Sequence, residues 1–436
     1  MRLLTDPVLA VALIVVPLAL AAPFGRPAEI PVARAPVAVA MLDATQDGLA
    51  DVVVGNAAGA GAPLTLLRGR GTGAFDRPVD FGSGPAPRAL AVGDFDGDGG
   101  DDLAVAGANL VAVYMQVDGA LVKRVEVSLP APGARALLAT DLDLDGNLDL
   151  VASMSNRAQV TVFQGAGDGN FVAGIEYPTR DAPAALFAAD VDGDGLPDLV
   201  TGGSSGVSVL PGNGDGTLGR PAAVTDTPGI TALTGEDFDS DGDIDLADAR
   251  TPNAVDVLLN DGEGGFATSA HTVGGSPVAI ATAYLDSDSS LDLVTANSGT
   301  NDVSVLPGAE DGTFGQQVRF PVGKGPASLT VGDLNDDGAS DLVVSDQLSK
   351  AVTVMLNGVD APVPVACRVP VLTRKTLASA RRLVAAAHCK VGTVRRKYSA
   401  RYKRRRVIAV TPLPGTVRPV DTAVALLVSR GRKPKG

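Results

Sequence analysis

The sequence predicts an all-β chain, and three observations support this prediction. The 436 residues include 52 glycines and 30 prolines but no tryptophan, a composition that suits short strands joined by many turns. An acidic segment of nine residues recurs seven times, and its last aspartates are 51, 47, 49, 47, 47 and 49 residues apart. Similar apolar segments flank each copy. Because a period in this range is typical of repeat architectures, the chain is expected to consist mainly of seven repeated units.

Each repeat contains four segments with strand character. A short apolar segment precedes the acidic segment, as at 87–92, and a second follows its last aspartate, as at 150–152. In the third segment apolar residues alternate, as at 160–163, and a fourth follows a glycine-rich turn, as at 75–81. Four strands in one repeat correspond to one blade of a β-propeller. Seven repeats therefore predict a seven-bladed β-propeller around a central channel, over residues 23–358.

The order of the segments also predicts how the ring closes. The last repeat ends at 355–358 without a fourth strand, whereas residues 23–30 precede the first repeat and have the pattern of an isolated fourth strand. We expect this N-terminal strand to complete the last blade, because the pairing would remove two exposed sheet edges at once.

The acidic segments have the spacing of a cation-binding loop. Acidic residues stand at positions 1, 3, 5 and 9, and glycine stands at position 6, as in Asp94–Asp102. Alternate side chains of a curled loop converge, a backbone carbonyl at position 7 can add an oxygen, and glycine permits the positive φ of the turn. Several flexible oxygen ligands favour Ca²⁺ over Mg²⁺.

We number these loops one to seven in chain order. Loops two to five have all four carboxylates: Asp94, Asp96, Asp98 and Asp102; Asp141, Asp143, Asp145 and Asp149; Asp190, Asp192, Asp194 and Asp198; Asp237, Asp239, Asp241 and Asp245. Loop seven has an amide at position 3 and should still bind: Asp333, Asn335, Asp337 and Asp341. Loop one has a hydroxyl there and should bind more weakly: Asp43, Thr45, Asp47 and Asp51. Loop six has Tyr284 at position 1 and Ser289 in place of glycine, so Asp286, Asp288 and Asp292 should hold an ion weakly or not at all. The sequence thus predicts about five well-formed Ca²⁺ sites and one or two weaker ones.

The predicted role of the metal is structural. Acidic turns can also be ordinary solvated loops, but clustered carboxylates repel one another without a cation. A cage that saturates the ion with protein oxygens leaves no activated water, and no loop has the Glu at position 12 that an EF-hand requires. The chain has only two histidines, His271 and His388, and neither lies in a catalytic motif. We therefore expect no enzymatic activity and no catalytic residues.

The two ends of the chain differ from the repeats. Residues 1–22 combine Arg2, an apolar run and a small-residue cleavage site, so they are expected to be a signal peptide and not a membrane anchor. No later stretch is long and apolar enough to span a bilayer. Residues 361–436 hold 19 of the 36 lysines and arginines but one acid, whereas the net charge of the whole chain is −14. Residues 359–366 are expected to form a proline-rich hinge, and 432–436 a basic tail.

A compact α+β module is predicted over 367–431. Thr376 should cap a helix that ends near His388, and strands should follow at 407–410 and 424–428. Cys367 and Cys389 flank the helix, and in an exported protein a disulfide between them is favoured over two buried thiols.

Two families resemble parts of this chain. The recurring Asp-x-Asp-x-Asp-Gly-x-x-Asp loop and the Gly-x-Gly-x-Gly-x-Phe turn resemble FG-GAP or VCBS repeat propellers, which include integrin alpha-chain heads. That resemblance implies Ca²⁺ in the connection between the first two strands of a blade. The C-terminal segment resembles a PASTA domain of bacterial envelope proteins through these matches: Val369-Pro370, Lys375-Thr376-Leu377, Ala380, Val391-Gly392, Val407-Ile408, Pro412, Pro414-Gly415 and Val428-Ser429-Arg430-Gly431. This second resemblance implies contact with peptidoglycan.

Together these features predict an exported, calcium-binding propeller that acts as a non-catalytic binding or adhesion scaffold. Its basic module would hold it at the cell wall through peptidoglycan or anionic wall polymers, and the propeller would bind a protein or glycan. The alternative is a carbohydrate-active protein, either a lectin or a glycan-processing enzyme, that uses the propeller face. Nucleic acid is a poor candidate because only Tyr398 and Tyr402 lie near the basic cluster. The expected state is a secreted monomer.

Overall fold

The computed structural model describes residues 24–57, 62–154, 156–262, 264–286, 288, 290–358, 366–370, 372–373, 375–387, 389–399, 405–411, 417–419 and 423–430. The predicted signal peptide, most of the hinge and the basic tail lie outside these residues.

Strands dominate the described chain. Their bounds are β1 (Ala28–Pro31), β2 (Pro36–Leu42), β3 (Asp51–Asn56), β4 (Leu64–Leu67), β5 (Val79–Phe81), β6 (Ala89–Gly93), β7 (Asp102–Ala106), β8 (Leu110–Val117), β9 (Ala120–Ser128), β10 (Ala134–Thr140), β11 (Asp149–Met154), β12 (Gln159–Phe163), β13 (Ile175–Pro178), β14 (Ala185–Ala189), β15 (Asp198–Gly203), β16 (Gly206–Leu210), β17 (Ala222–Ala223), β18 (Ile230–Glu236), β19 (Asp245–Arg250), β20 (Ala254–Asn260), β21 (Phe266–Thr272), β22 (Pro277–Ala283), β23 (Asp292–Asn297), β24 (Asp302–Leu306), β25 (Val318–Pro321), β26 (Pro326–Gly332), β27 (Asp341–Asp346) and β28 (Ala351–Met355). The C-terminal module adds β29 (Ala366–Arg368), α1 (Leu377–Ala386), β30 (Lys390–Lys397), β31 (Val407–Thr411), β32 (Val417–Pro419) and β33 (Ala423–Ser429).

Strands β1 to β28 form seven four-stranded antiparallel sheets within the described residues. Six sheets contain four strands in chain order, such as β2-β3-β4-β5. The seventh has the order β1-β28-β27-β26, in which Ala28 pairs with Val354 and Pro31 pairs with Ala351. The predicted pairing of the N-terminal strand with the last repeat is therefore present in the structure. We number the sheets one to seven after the acidic loop that each sheet contains.

Burial changes across each sheet in a regular way. The second and third strands are buried throughout, as in β3, β11 and β16, whereas fourth strands such as β9 alternate between exposed and half-buried residues. Valine and leucine recur in the buried strands because branched side chains pack well on a pleated surface. Each fully buried Val or Leu contributes about 1.5–3 kcal/mol. The middle strands therefore stabilise each sheet, and the fourth strands face solvent.

The hydrophobic core consists of separate clusters between neighbouring sheets. One cluster joins Val53 and Leu64 of sheet one to Leu103 and Tyr114 of sheet two. Comparable clusters lie between each of the other neighbouring pairs, including sheets seven and one. The first strand of each sheet contacts the first strand of the next, and β26 contacts β2. This all-β arrangement of four-stranded sheets is consistent with a propeller.

The C-terminal module has its own core. Helix α1 and strands β30, β31 and β33 enclose Val384, Val407 and Leu426. Strand β33 pairs parallel to β30 and antiparallel to β31. Ser379 N–H donates to Thr376 Oγ1 at 3.1 Å, which confirms the predicted helix cap. In the described part of the chain, no helix has the length and apolar character needed to cross a membrane.

Candidate metal centres

The seven acidic loops occupy the same place in every sheet. Each connects the first strand to the second, and its last aspartate is the first residue of the second strand, as at Asp102 and Asp149. Backbone N–H groups fold the loop around its own side chains. In loop two, Gly97 N–H donates to Asp94 Oδ1 at 2.7 Å and Gly99 N–H donates to Asp94 Oδ2 at 3.1 Å. The curled geometry that alternate acidic residues require is therefore present.

Carboxylate oxygens converge in four of these loops. Among the described residues, groups whose oxygens lie within 4.8 Å of one another are Asp94, Asp96 and Asp102; Asp141, Asp143 and Asp145; Asp190, Asp192 and Asp194; and Asp237, Asp239 and Asp245. These are the loops that the sequence predicts to have complete carboxylate sets. Three close carboxylates are a donor set for a hard divalent cation, so these clusters could hold a metal ion.

The first aspartate of three loops has an oxygen that suits a metal. Asp141, Asp190 and Asp237 each keep Oδ1 buried without a hydrogen-bond partner among the described residues. A buried carboxylate oxygen without a partner is costly, and a cation would satisfy it. This observation shows that the loops fit a metal, which the carboxylate spacing alone does not show. The three convergent aspartates of each of loops two to five would hold the ion.

The aspartate at position 9 has a second task that the sequence analysis missed. In loop three, Asp149 Oδ2 accepts from Leu142 N–H at 3.0 Å, and its Oδ1 accepts from Gly165 N–H at 2.8 Å. Equivalent pairs of hydrogen bonds occur in loops two, four, five, six and seven. This carboxylate therefore ties the loop to the end of the third strand. We call it the clamp aspartate.

Two further positions support the clamp. The residue at position 2, such as Phe95, Leu142 or Leu334, is buried and apolar, so it anchors the loop in the core. The glycine after the third strand permits close approach of the backbone, since a Cβ on Gly165 would lie 2.1 Å from the carbonyl oxygen of Leu148. The apolar residue at position 2 is visible in the sequence and could have revealed the anchor, whereas the contact at Gly165 could not.

Burial raises the pKa of the clamp carboxyls. For Asp102, Asp149, Asp245, Asp292 and Asp341 the value rises from 3.8 to about 6, because desolvation outweighs the hydrogen bonds from backbone N–H groups. Neighbouring loop carboxylates raise it further. Without a cation, keeping these carboxyls ionised therefore destabilises the folded state.

The remaining loops differ as their sequences suggest. In loop seven the Asn335 side-chain N–H donates to Asp337 Oδ2 at 3.0 Å. In loop six Tyr284 is 49% exposed, Ser289 lies outside the described residues, and Asp292 keeps its clamp bonds. In loop one Asp43 accepts from Gly48 N–H at 2.9 Å and Asp51 accepts from Gly69 N–H at 2.8 Å. These loops therefore keep their fold while their carboxylate sets are reduced.

Other residues singled out from the sequence lie away from these loops. Cys389 is disulfide-bonded, and the only other cysteine in the chain is Cys367. His271 lies on β21 with its Nε2 3.0 Å from Ser269 Oγ. A cavity of about 350 Å³ lies between loops one and seven, lined among others by Met41, Asp43 and Asp333. Its carboxylates disfavour anionic ligands.

Comparison with known families agrees with this geometry. The family profile described as FG-GAP-like repeat matches residues 43–105, 94–152, 141–201, 190–247 and 284–344, which together cover more than half of the chain. The PASTA domain profile matches residues 368–430. A search of curated proteins finds no match.

Several solved structures are similar to this chain. The BBS1N structure in complex with ARL6DN is 14% identical, with a TM-score of 0.55 over 78% of this chain and 97% of that chain. A protein from Lactobacillus plantarum is 15% identical, with a TM-score of 0.54 over 70% of this chain and 91% of that chain. An Agrocybe aegerita lectin that recognises non-reducing terminal N-acetylglucosamine is 20% identical, with a TM-score of 0.48 over 64% of this chain and 79% of that chain. At these identities, the first two similarities concern the fold alone.

Proposed function

Since the chain belongs to the FG-GAP-like repeat family and carries a C-terminal PASTA domain, we propose that it is an exported, calcium-binding β-propeller that serves as a non-catalytic binding scaffold at the cell wall. In this proposal the seven sheets are the blades of a ring that β1 closes. The pairing of β1 with β28 and the contact of β26 with β2 support closure.

The observation that carries the proposal is the convergence of carboxylates with an unsatisfied oxygen. Loops two to five each bring three carboxylates within 4.8 Å, and Asp141, Asp190 and Asp237 bury an oxygen for which the described residues offer no hydrogen-bond partner. Ca²⁺ accepts this donor set because it tolerates irregular coordination by six to eight oxygens. When bound, the ion would supply the positive charge that neutralises each loop, and the role would be structural.

Calcium binding is tested by removing the metal. We expect the melting temperature of the full chain to rise from metal-free buffer to millimolar Ca²⁺, because only the folded loops form the cage. With dissociation constants of 10⁻⁴ to 10⁻³ M, each occupied site adds roughly 0.5 to 1.5 kcal/mol. Calorimetric titration should count about five sites, with the stronger ones at loops two to five. Mg²⁺ at the same concentration is the control, and identical melting curves with and without Ca²⁺ would refute the proposal.

The wall-binding role is argued from the C-terminal module. Arg395, Arg396, Lys397 and Arg405 are exposed on it, and this positive surface suits anionic wall polymers. We expect the full chain to sediment with isolated wall material and a chain ending at Gly358 to stay in solution. Washing with salt should release the full chain, because charge attraction between exposed groups is screened. Binding that survives the truncation would move recognition to the propeller and contradict the anchoring role.

A further inference from the structure

One edge of the C-terminal module faces an acidic loop of the propeller. Arg406 Nη2 lies 3.5 Å from Asp141 Oδ2, and each side chain is 19% exposed. Asp141 is the first aspartate of loop three, and its Oδ2 also accepts from Gly146 N–H at 3.0 Å. Thus the module places a guanidinium against a residue of a candidate metal centre.

The position of Arg406 is fixed within the module. Its backbone forms a bridge with Thr376, and its carbonyl accepts from Ser429 N–H at 2.7 Å. The next residue, Val407, donates to the Lys375 carbonyl at 2.9 Å. Arg406 is therefore held between the start of the helix and the end of β33, so its approach to Asp141 requires the whole edge of the module to face loop three.

We propose that the C-terminal module docks through Arg406 on the side of the propeller where acidic loop three lies. Docking and cation binding at loop three would then oppose each other. The proposal rests on the calcium-binding function proposed above. The two oxygens of Asp141 differ: Oδ2 lies against Arg406, while the buried Oδ1 has no hydrogen-bond partner in the part of the chain that the structure describes. A divalent ion on Oδ1 would sit on the same carboxylate as the guanidinium, so the two cations repel and compete for one negative charge.

The consequence is a module whose position depends on Ca²⁺. At low Ca²⁺ the ion pair holds the module against the propeller. At high Ca²⁺ the charge of Asp141 is neutralised, the ion pair weakens, and the module leaves the propeller, so that Arg406 joins the basic residues that are already exposed. The contact is thereby a calcium-dependent latch built into a single chain.

The test compares the full chain with Arg406→Gln and with Arg395→Gln. Arg395 is exposed on β30 of the same module, so its replacement removes the same charge without touching loop three. Arg406→Lys keeps the charge at the contact and controls for loss of packing. Calorimetry is run on each protein with and without Asp143→Asn, so that the difference isolates the heat of loop three. Small-angle scattering in metal-free buffer and in millimolar Ca²⁺ measures the radius of gyration, and circular dichroism verifies folding.

We expect Arg406→Gln to tighten Ca²⁺ binding at loop three by roughly 3- to 10-fold, the range for losing one partly exposed opposing charge. The unchanged chain should expand on adding Ca²⁺, Arg406→Gln should be expanded in both buffers, and Arg395→Gln and Arg406→Lys should behave like the unchanged chain. If Ca²⁺ binds but loop three titrates alike in Arg406→Gln and the unchanged chain, the latch is wrong while the calcium-binding proposal stands. If no protein takes up Ca²⁺, both are wrong.

Discussion

Individual aspartates in the acidic loops perform two separate tasks. The first aspartate, such as Asp190, has a buried oxygen without a hydrogen-bond partner within the described ranges, and it is suited to a metal. The clamp aspartate of the same loop, Asp198, already accepts from Val191 N–H at 3.0 Å and from Gly212 N–H at 2.9 Å. In loop four, aspartates of one motif are thus suited to an ion at one end and support the backbone at the other.

These two tasks can be separated by matched substitutions in loop four. Asp190→Asn should leave the melting temperature in metal-free buffer nearly unchanged and reduce the stabilisation by Ca²⁺, because it removes a charged ligand. Asp198→Asn should destabilise the protein by about 2–4 kcal/mol with or without Ca²⁺, since its amide group turns a donor toward a buried N–H. Chemical denaturation in the two buffers measures both effects.

The two variants control for each other because they make the same chemical change within one loop. Equal loss of stability from both in metal-free buffer would contradict the division of tasks.

At this scale the sequence predicts the convergence of the carboxylates better than the clamps. The spacing of Asp141, Asp143 and Asp145 alone indicates that their side chains converge, because the geometry lies within one loop. The bond from Gly165 N–H to Asp149 depends on where the third strand ends, 16 residues later. A contact of this kind follows from sheet packing, which a local pattern does not determine.

At the scale of the element, the protonation of the acidic loops depends on pH. Five clamp carboxyls have pKa values raised from 3.8 to about 6 by burial, and the other loop carboxylates add to the shift. The folded, metal-free chain therefore binds more protons than the unfolded chain between these values. Stability without metal must then fall as the pH rises from about 4 to about 6.

Melting temperatures at two pH values should show this effect. In buffer freed of metal on a chelating resin, we expect a higher melting temperature at pH 5 than at pH 7, with each clamp contributing on the order of 1 kcal/mol. Added Ca²⁺ should raise the melting temperature more at pH 7, where the carboxyls are ionised before it binds. A metal-free protein that is more stable at pH 7 than at pH 5 would show that the clamps are not the dominant titrating groups.

Strands and the helix that follow from hydrophobic periodicity were predicted well. The residues at which they begin and end were predicted less well. Strands β31 and β33 contain the predicted segments 407–410 and 424–428, and the helix begins as its cap predicted. The predicted strand at 75–81 is shorter, because β5 spans Val79–Phe81 and Phe75 instead forms an isolated bridge with Gly69. Pro78 lacks the N–H needed to continue the ladder, so the strand begins after it.

At the scale of the whole molecule, the first and last strands of the repeat region pair with each other. Strand β1 covers the outer side of β28, and Val32 beside it is buried in the cluster between sheets seven and one. No local sequence pattern indicates that β1 and β28 pair. The pairing was predictable because the last repeat lacks a fourth strand, while the strand before the first repeat has no sheet of its own.

Removing that strand tests its contribution. A chain of residues 32–436 should melt at a lower temperature than the matched chain of residues 23–436, since it exposes the edge of β28. It should also self-associate more, because an unpaired edge is a template for other strands. Scanning calorimetry and light scattering give the two readouts. Equal melting and equal scattering of both chains would show that β1 is dispensable.

The pairing of Ala28 with Val354 has a consequence for biosynthesis. A ribosome releases β1 before the other strands of the repeat region, and its partner β28 emerges only with the last repeat, so this contact joins segments across almost the entire repeat region. A polypeptide that stops before β28 leaves β1 without its partner strand. The β1–β28 ladder therefore forms only when translation has passed through all seven repeats.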